Sequence, residues 1–191
     1  MKFFWGDFRI LSITNIKGLT MRNETIDIDS ITASLERFTR QLEDVDATRF
    51  DELRKCSFFD PISNERLSHI SKYVNIRSFD DGECLTTENG GLGAFYVILY
   101  GKVTVYYKSK VVGTIRAGEC IGEGMFLASE NISRLATVVA DGEIITAEMK
   151  ITGINNLFDD AETKASMDKA LMMALFKKLQ EANHRIEELL H

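Results

Sequence analysis

The sequence predicts an α+β protein, in which an antiparallel β jelly-roll barrel is flanked by N-terminal helices and a long C-terminal helix. Apolar residues recur at spacings of three and four near both ends of the chain, which is the period of a helix. Between about residues 75 and 150 the segments are instead short, rich in β-branched and aromatic residues, and separated by turns that contain glycine. Short strands joined by evenly spaced turns are typical of antiparallel barrels and sandwiches.

The composition limits the classes of function. The 191 residues suit one domain with an appendage, and 45% hydrophobic residues suffice for an ordinary core. A formal net charge of −6 disfavours a nucleic-acid partner, which usually meets a basic face. No stretch approaches the roughly 18 consecutive apolar residues of a membrane span. The three cysteines, Cys56, Cys84 and Cys120, are widely spaced and suit a reducing compartment. We therefore expect a cytoplasmic protein that binds neither nucleic acid nor a membrane.

Residues 1–49 are expected to form an N-terminal extension that is only partly helical. Its helix begins at Asp29 or Ser30, because either residue can cap it. One face of that helix is apolar, formed by Ile31, Leu35, Phe38, Leu42 and Val45. We expect this extension to dock a protein partner that the sequence does not identify.

Two further helical segments are predicted before the strands. The stretch "ATRFDELRKC" indicates a second helical turn, and Asp60-Pro61 breaks the chain after it. Ser63 then caps a helix whose inward residues are predicted to be Leu67, Ile70 and Val74. Cys56 and Cys120 lie beside apolar residues and are predicted to be small buried hydrophobes.

The β-rich region is divided by its glycines. A turn is predicted at Asp81-Gly82, and "FYVILYGKVTVYYKSKVVGTIRAGE" has the composition of successive strands. Two more strands are expected around a turn at Asp141-Gly142.

The C-terminal segment from Asp168 to Leu190 is predicted to be a helix with a coiled-coil seam. Its apolar residues alternate at spacings of three and four: Met172, Leu175, Leu179, Ala182, Ile186 and Leu189. We favour a homodimer through residues 168–190, with a helix laid on the barrel as the alternative. Residues that face the barrel are expected earlier, at Ile154, Leu157 and Phe158.

The stretch from Gly118 to Val139, "GECIGEGMFLASENISRLATVV", has the chemistry of a binding site for a ribose phosphate. Gly122 permits a sharp turn and a close approach of ligand to backbone, and "EGMFLA" can form one helical turn with outward N–H groups. The fork of Arg134 suits two phosphate oxygens. Glu123 is an acceptor only, so it suits a sugar hydroxyl. The alternative is an exposed Glu–Arg ion pair at a sheet edge, worth about 0–1 kcal/mol.

From about Phe50 to His191 the sequence resembles the cyclic nucleotide-binding domain. The motifs that carry this resemblance occur in the family's order: "LRKCSFFDPISNERLSHI", "FDDGECL", "FYVILYGKVTVY", "AGECIGEGMFL…SRLATVVA" and "MALFKKLQEANHRIEELL". The resemblance implies a domain over residues 50–191, with its barrel at about 75–150 and its C-terminal helices at 151–191. It also implies that Glu123 binds the ribose 2′-hydroxyl and that Arg134 binds the cyclic phosphate.

The resemblance implies further contacts with a ligand, either cAMP or cGMP. Those residues are Gly122, Gly124, Met125, Leu135 and Ala136, together with Asn183 in the long helix, which could reach the purine across a dimer. Leu135 is bulkier than the Ala or Ser usual after the arginine of the family, and Ser133 replaces a frequent Pro. Gly124 stands where an aliphatic residue is usual. These departures leave the two charged contacts in place and leave the identity of the ligand open.

These residues bear on four candidate functions. A cyclic nucleotide sensor that signals through its C-terminal helix is expected. A transcription factor is disfavoured because no helix-turn-helix follows the long helix. A metal enzyme of the cupin type is disfavoured because His69, His184 and His191 all lie in predicted helices, so we expect neither an enzyme nor a metal. A degenerate domain without a nucleotide, acting in dimerisation or docking, is the main alternative.

Overall fold

The structure is a computed structural model that describes residues 28–126, 133–157 and 159–190. Expectations for residues 1–27, for "LA" at the end of the predicted helical turn, for Phe158 and for His191 lie outside the described residues. The chain divides into two compact units, one ending at Leu42 and the other running Glu43–His191. The boundary predicted between residues 49 and 50 lies inside the second unit, and it stays a prediction.

The N-terminal helices follow the predicted pattern with two differences. Helix α1 runs Ile28–Arg54 without interruption, where two helical pieces were expected. A short 3-10 helix, Ser57–Phe59, leads to α2 at Asn64–Ser71. The predicted cap is confirmed, because Ser63 Oγ accepts a hydrogen bond of 3.4 Å from the Arg66 amide. Val74 is buried as expected, although it lies beyond the end of α2.

Six antiparallel strands form the sheet that positions the site. They are β1 Asn75–Phe79, β2 Cys84–Thr86, β3 Ala94–Tyr107, β4 Lys110–Arg116, β5 Cys120–Ile121 and β6 Thr137–Lys150. The order is β1-β6-β3-β4, with β2 also paired to β6 and β5 to β3. The predicted α+β class and antiparallel strands are confirmed.

The turn predicted at Asp141-Gly142 is wrong. β6 passes through both residues as one continuous strand, paired along most of its length with β3. The register shifts on either side of Tyr100, and Gly101 and Gly142 both have positive φ angles of 84° and 82°. Glycine here permits a bulge in a long strand, which uses the same local conformation as a turn.

Alternation along the strands divides the buried residues into two clusters. Phe95 and Val97 of β3 pack with the helices, while Tyr96 and Ile98 belong to a second cluster on the opposite side of the strand. Cys56 and Cys120 are buried in the first cluster, which confirms their prediction. The sheet is therefore apolar on both sides, and the second side carries the candidate site.

Two helices follow the sheet. Helix α3 runs Ile151–Leu157, and the predicted inward residues Ile154 and Leu157 are buried. Helix α4 runs Ala161–Leu190, beginning seven residues before the predicted start at Asp168. No helix among the described residues is long and apolar enough to cross a membrane.

The two ends of α4 differ in burial. Its first part packs in the core through Thr163, Met167, Ala170 and Leu171. Farther along, the predicted seam is exposed within one chain at Met172, Leu175, Leu179, Ile186 and Leu189. Polar groups nevertheless hold this part of the helix to the sheet, since Arg185 donates to the Val112 carbonyl at 3.2 Å. The dimer stays a prediction.

Candidate functional site

Gly122 connects β5 to the short helical turn Glu123–Phe126. Its φ of 93° is in the region that favours glycine. A Cβ at this position would also overlap the NH1 nitrogen of Arg134. Glycine is therefore required both by the backbone turn and by the close approach of the guanidinium.

Arg134 is held at the start of the segment that leads into β6. Its amide donates to the Gly90 carbonyl at 3.0 Å, and its carbonyl accepts from the Asn89 amide at 2.8 Å. Its NH2 nitrogen donates to the Ala94 carbonyl. With these bonds, the side chain has a defined orientation before any ligand binds.

The guanidinium of Arg134 is buried and partly unpartnered. The residue is 6% exposed, and its NH1 nitrogen has no acceptor among the described residues. Burial lowers the pKa of Arg134, and the neighbouring Tyr96 and Glu123 partly oppose that effect. An arginine stays protonated even so, which leaves a buried cation beside a cavity. The exposed Glu–Arg pair considered as an alternative is therefore wrong for Arg134.

Glu123 is paired with a different cation. Its carboxylate accepts a hydrogen bond from Lys178 Nζ of α4, and the same ammonium donates to the Cys120 carbonyl at 2.6 Å. The Cys120 thiol lies 3.6 Å from Glu123 Oε1. Burial raises the pKa of that thiol, with a further contribution from the Glu123 charge. The carboxylate is thus held by two side chains, Lys178 of α4 and Cys120 of β5.

These residues surround a cavity of about 470 Å³. Its walls contain the predicted residues Gly122, Glu123, Gly124, Arg134, Leu135 and Ala136. Apolar side chains supply most of the remaining wall: Leu92, Val105, Ile115, Ile121, Val138 and Leu175. An apolar cavity with a few convergent polar groups is the usual form of a small-molecule site.

Two of the predicted site residues lie elsewhere. Met125 is buried in the first core cluster, because the short helical turn directs it away from the cavity wall. Asn183 is exposed on α4 and does not line the cavity. Leu135 lines the cavity although it is 82% exposed, which places it at the rim. The ligand contacts themselves stay predictions.

Two residues of α4 that were not predicted as site residues also line the cavity, Leu175 and Lys178. Leu175 was assigned to the dimer seam, and Lys178 was not singled out. The sequence signal for Lys178 is its position three residues after Leu175, because residues three apart lie on the same face of a helix. Among the described residues, no three His, Cys, Asp or Glu side chains gather as a metal site would require.

Part of this chain is similar to a known domain family. Residues 76–161 match the family model of the cyclic nucleotide-binding domain. The predicted resemblance to that domain is confirmed. The matched segment includes most of the sheet, both Glu123 and Arg134, and the whole of α3.

A cGMP-dependent protein kinase of Eimeria tenella is 25% identical over 140 residues, which is 70% of this chain. The chain spans 14% of the length of that kinase.

Solved structures share the fold of the cyclic nucleotide-binding domain. One such domain from Methylobacillus flagellatus is 20% identical with a TM-score of 0.66, and the match covers 75% of this chain and 85% of that one. The regulatory domain of Toxoplasma gondii protein kinase A, solved with cAMP, is 17% identical with a TM-score of 0.56. That match covers 73% of this chain and 51% of the other. The predicted jelly-roll architecture is confirmed.

Proposed function

We propose that this chain binds a cyclic nucleotide, cAMP or cGMP, in the cavity beside Arg134 and acts as a regulatory sensor. The observation that carries the proposal is the buried NH1 nitrogen of Arg134, which lacks an acceptor among the described residues. A buried donor left unsatisfied costs about 1–3 kcal/mol. A phosphate oxygen would satisfy it and would also neutralise the buried charge.

The rest of the cavity suits the other parts of such a ligand. Glu123 can accept a hydrogen bond from the ribose 2′-hydroxyl, and Gly122 and Gly124 leave room for the phosphate to approach the backbone. The apolar wall suits the purine. The proposal draws support from the cGMP-dependent kinase relative and from the cAMP-bound regulatory domain that shares the fold.

Transmission of the signal is assigned to α4, because Leu175 and Lys178 connect that helix to the cavity. We also propose a homodimer through residues 168–190, whose seam residues are exposed in one chain. Asn183 could then contact the purine of the other protomer. In this proposal the chain works as a cytoplasmic binding module rather than an enzyme, and residues 1–49 dock a further protein.

The second candidate is a degenerate domain that binds no nucleotide and serves dimerisation or docking. It is favoured by the ion pair of Glu123 with Lys178, which engages one oxygen, Oε1, of the carboxylate assigned to the ribose. Leu135 at the cavity rim adds bulk where the family usually has a small residue.

Calorimetric titration with cAMP and cGMP separates the two candidates. A nucleotide that binds only the folded state stabilises it by about 2.7 kcal/mol at 100-fold over its dissociation constant, so the melting temperature should rise with the true ligand. The 5′-monophosphate is the matched control, because its open ring and extra charge fit the site poorly. No heat and no melting shift at millimolar concentrations of either cyclic nucleotide would favour the degenerate domain.

A further inference from the structure

The Glu123 carboxylate has one oxygen engaged and one without a partner. Oε1 accepts hydrogen bonds from Lys178 Nζ and from the Cys120 thiol, whose sulfur lies 3.6 Å away. Oε2 has no hydrogen-bond partner among the described residues. Glu123 also lines the cavity. The carboxylate can therefore accept a ligand hydroxyl at Oε2 while Lys178 stays bound at Oε1.

Lys178 is well placed to hold this carboxylate in one orientation. Its ammonium also donates to the Cys120 carbonyl at 2.6 Å, so the lysine is fixed to β5 as well as to its own helix. The side chains of Lys178 and Glu123 are 29% and 19% exposed, compared with 44% and 40% for the Lys164–Asp168 pair within α4. Charges that are less exposed to solvent are screened less. The contact with Lys178 therefore restricts Glu123 more than an open ion pair would.

Arg134 is the cation that Glu123 must not engage. Burial lowers the pKa of Arg134, and the charges of Tyr96 and Glu123 oppose that effect, so Glu123 lies within electrostatic range of the guanidinium. The NH1 nitrogen of Arg134 has no acceptor in the described part of the chain. A carboxylate released from Lys178 would find an unused donor there. Their pairing would remove the acceptor for a hydroxyl and the donor for a phosphate together.

We propose that Lys178 is a positioning residue, which binds Oε1 of Glu123 so that Oε2 remains available to the ribose 2′-hydroxyl and Arg134 remains available to the phosphate. This inference rests on the proposed function, and Lys178 stays bound to Glu123 when the ligand is present. The lysine also reduces the charge that the hydroxyl meets. Orientation outweighs that reduction, because ordering a free glutamate side chain costs rotamer entropy at the moment of binding.

The test measures preference for ribose over 2′-deoxyribose by titration calorimetry. The readout is the dissociation constant of 2′-deoxy-cAMP divided by that of cAMP, and the same ratio for the cGMP pair, with both ligands titrated into one sample. Such a ratio is insensitive to the folded fraction of a variant and to a change of charge that weakens both ligands equally. The wild type should give a ratio of about two to ten, which corresponds to one hydrogen bond. Lys178→Met should reduce the ratio to about one.

Three further variants serve as controls. Lys178→Arg keeps charged donors at this position and should retain most of the wild-type ratio. Lys169→Met changes an exposed lysine on the same helix and should leave the ratio unchanged. Glu123→Ala combined with Lys178→Met should give the same ratio as Glu123→Ala alone, because Lys178 acts through Glu123.

Three outcomes overturn the positioning role while leaving the proposed function in place. The first is an unchanged or higher ratio in Lys178→Met. The second is a further fall in the ratio when Lys178→Met is added to Glu123→Ala, which would mean that the ammonium itself contacts the hydroxyl. The third is a ratio in Lys178→Arg equal to that in Lys178→Met, which would mean that side-chain shape rather than a hydrogen bond to Glu123 sets the preference. If the wild type binds neither cAMP nor cGMP, the proposed function fails and the positioning role fails with it.

Discussion

The sheet side and the helix side of the cavity hold their charges in different ways. On the sheet side, Arg134 is 6% exposed, oriented by backbone hydrogen bonds, and left with one nitrogen that has no acceptor within the described residues. On the helix side, Glu123 is paired with Lys178 of α4. The first side holds a cation with an unused donor among the described residues, whereas the second holds a carboxylate with one oxygen already bound.

The difference assigns separate tasks to the two sides. A preoriented cation contributes affinity, because little reorganisation opposes the new contact. A carboxylate that is already paired contributes less affinity, because Lys178 neutralises part of the charge that a ligand hydroxyl would meet. Through Lys178 it also connects the cavity to α4, and a ligand shifts an equilibrium only through contacts that differ between two states.

The largest expected effect is on the sheet side. Arg134→Ala should weaken cyclic nucleotide binding by about 2–5 kcal/mol, roughly thirtyfold to several thousandfold, because it removes the buried charge that compensates the phosphate. Arg134→Lys should recover part of this loss at most, since an ammonium lacks the planar fork. Titration calorimetry measures both variants.

Arg116→Ala is the matched control, because Arg116 is an exposed arginine at the end of β4. It should bind as the wild type does. The role assigned to Arg134 on the sheet side is contradicted if Arg134→Ala retains wild-type affinity. It is also contradicted if that variant loses the circular dichroism signal of its strands without a ligand.

A smaller effect is expected on the helix side. Glu123→Ala should weaken binding by about twofold to tenfold, because it removes one hydrogen bond to a ligand hydroxyl from a carboxylate whose charge Lys178 already partly neutralises. The loss should vanish for the 2′-deoxy cyclic nucleotide, which lacks the partner hydroxyl. Affinities of the two ligands for the two proteins form a double-mutant-style cycle that isolates the contact. An equal loss with both ligands would mean that Glu123 supports the cavity generally.

The smallest effect on affinity is expected toward the end of α4, beyond Lys178. Leu179→Lys combined with Ile186→Lys should lower nucleotide affinity by no more than the loss of the Asn183 contact across the dimer, because neither substituted residue lines the cavity. The same change should convert a dimer to a monomer, since it would bury like charges in the predicted seam. Sedimentation velocity measures the oligomeric state.

Met173→Lys is the control for the seam. Met173 is exposed on α4 but lies outside the predicted seam, so this variant should sediment as the wild type does. A double variant that remains dimeric would show that another surface forms the dimer. A double variant whose affinity falls by more than one hydrogen bond accounts for would show that the outer end of α4 belongs to the helix side of the cavity.

Much of the fold could be predicted from the sequence because it depends on local signals. The Ser63 cap, the glycine turn at Gly82 and the inward residues of α2 and α3 each follow from residues within a few positions of one another. The exception at Gly142 is instructive. A positive φ serves a turn or a bulge equally well, and only the pairing of β6 with β3 decides which one forms.

For the candidate site, too, the sequence is informative where the residues lie close together along the chain. The sequence alone determined that Gly122, Glu123 and Arg134 share a short segment with the donors and acceptors of a ribose-phosphate site. The tertiary structure decided which charged side chains pair with one another and which keep an unused donor. Lys178 lies 55 residues from Glu123, so no local pattern could pair them. The orientation of the Arg134 guanidinium likewise depends on a hydrogen bond to the Ala94 carbonyl, 40 residues away. The strength of a charge depends on solvent exposure and on its nearest partner, and both are properties of the packed chain.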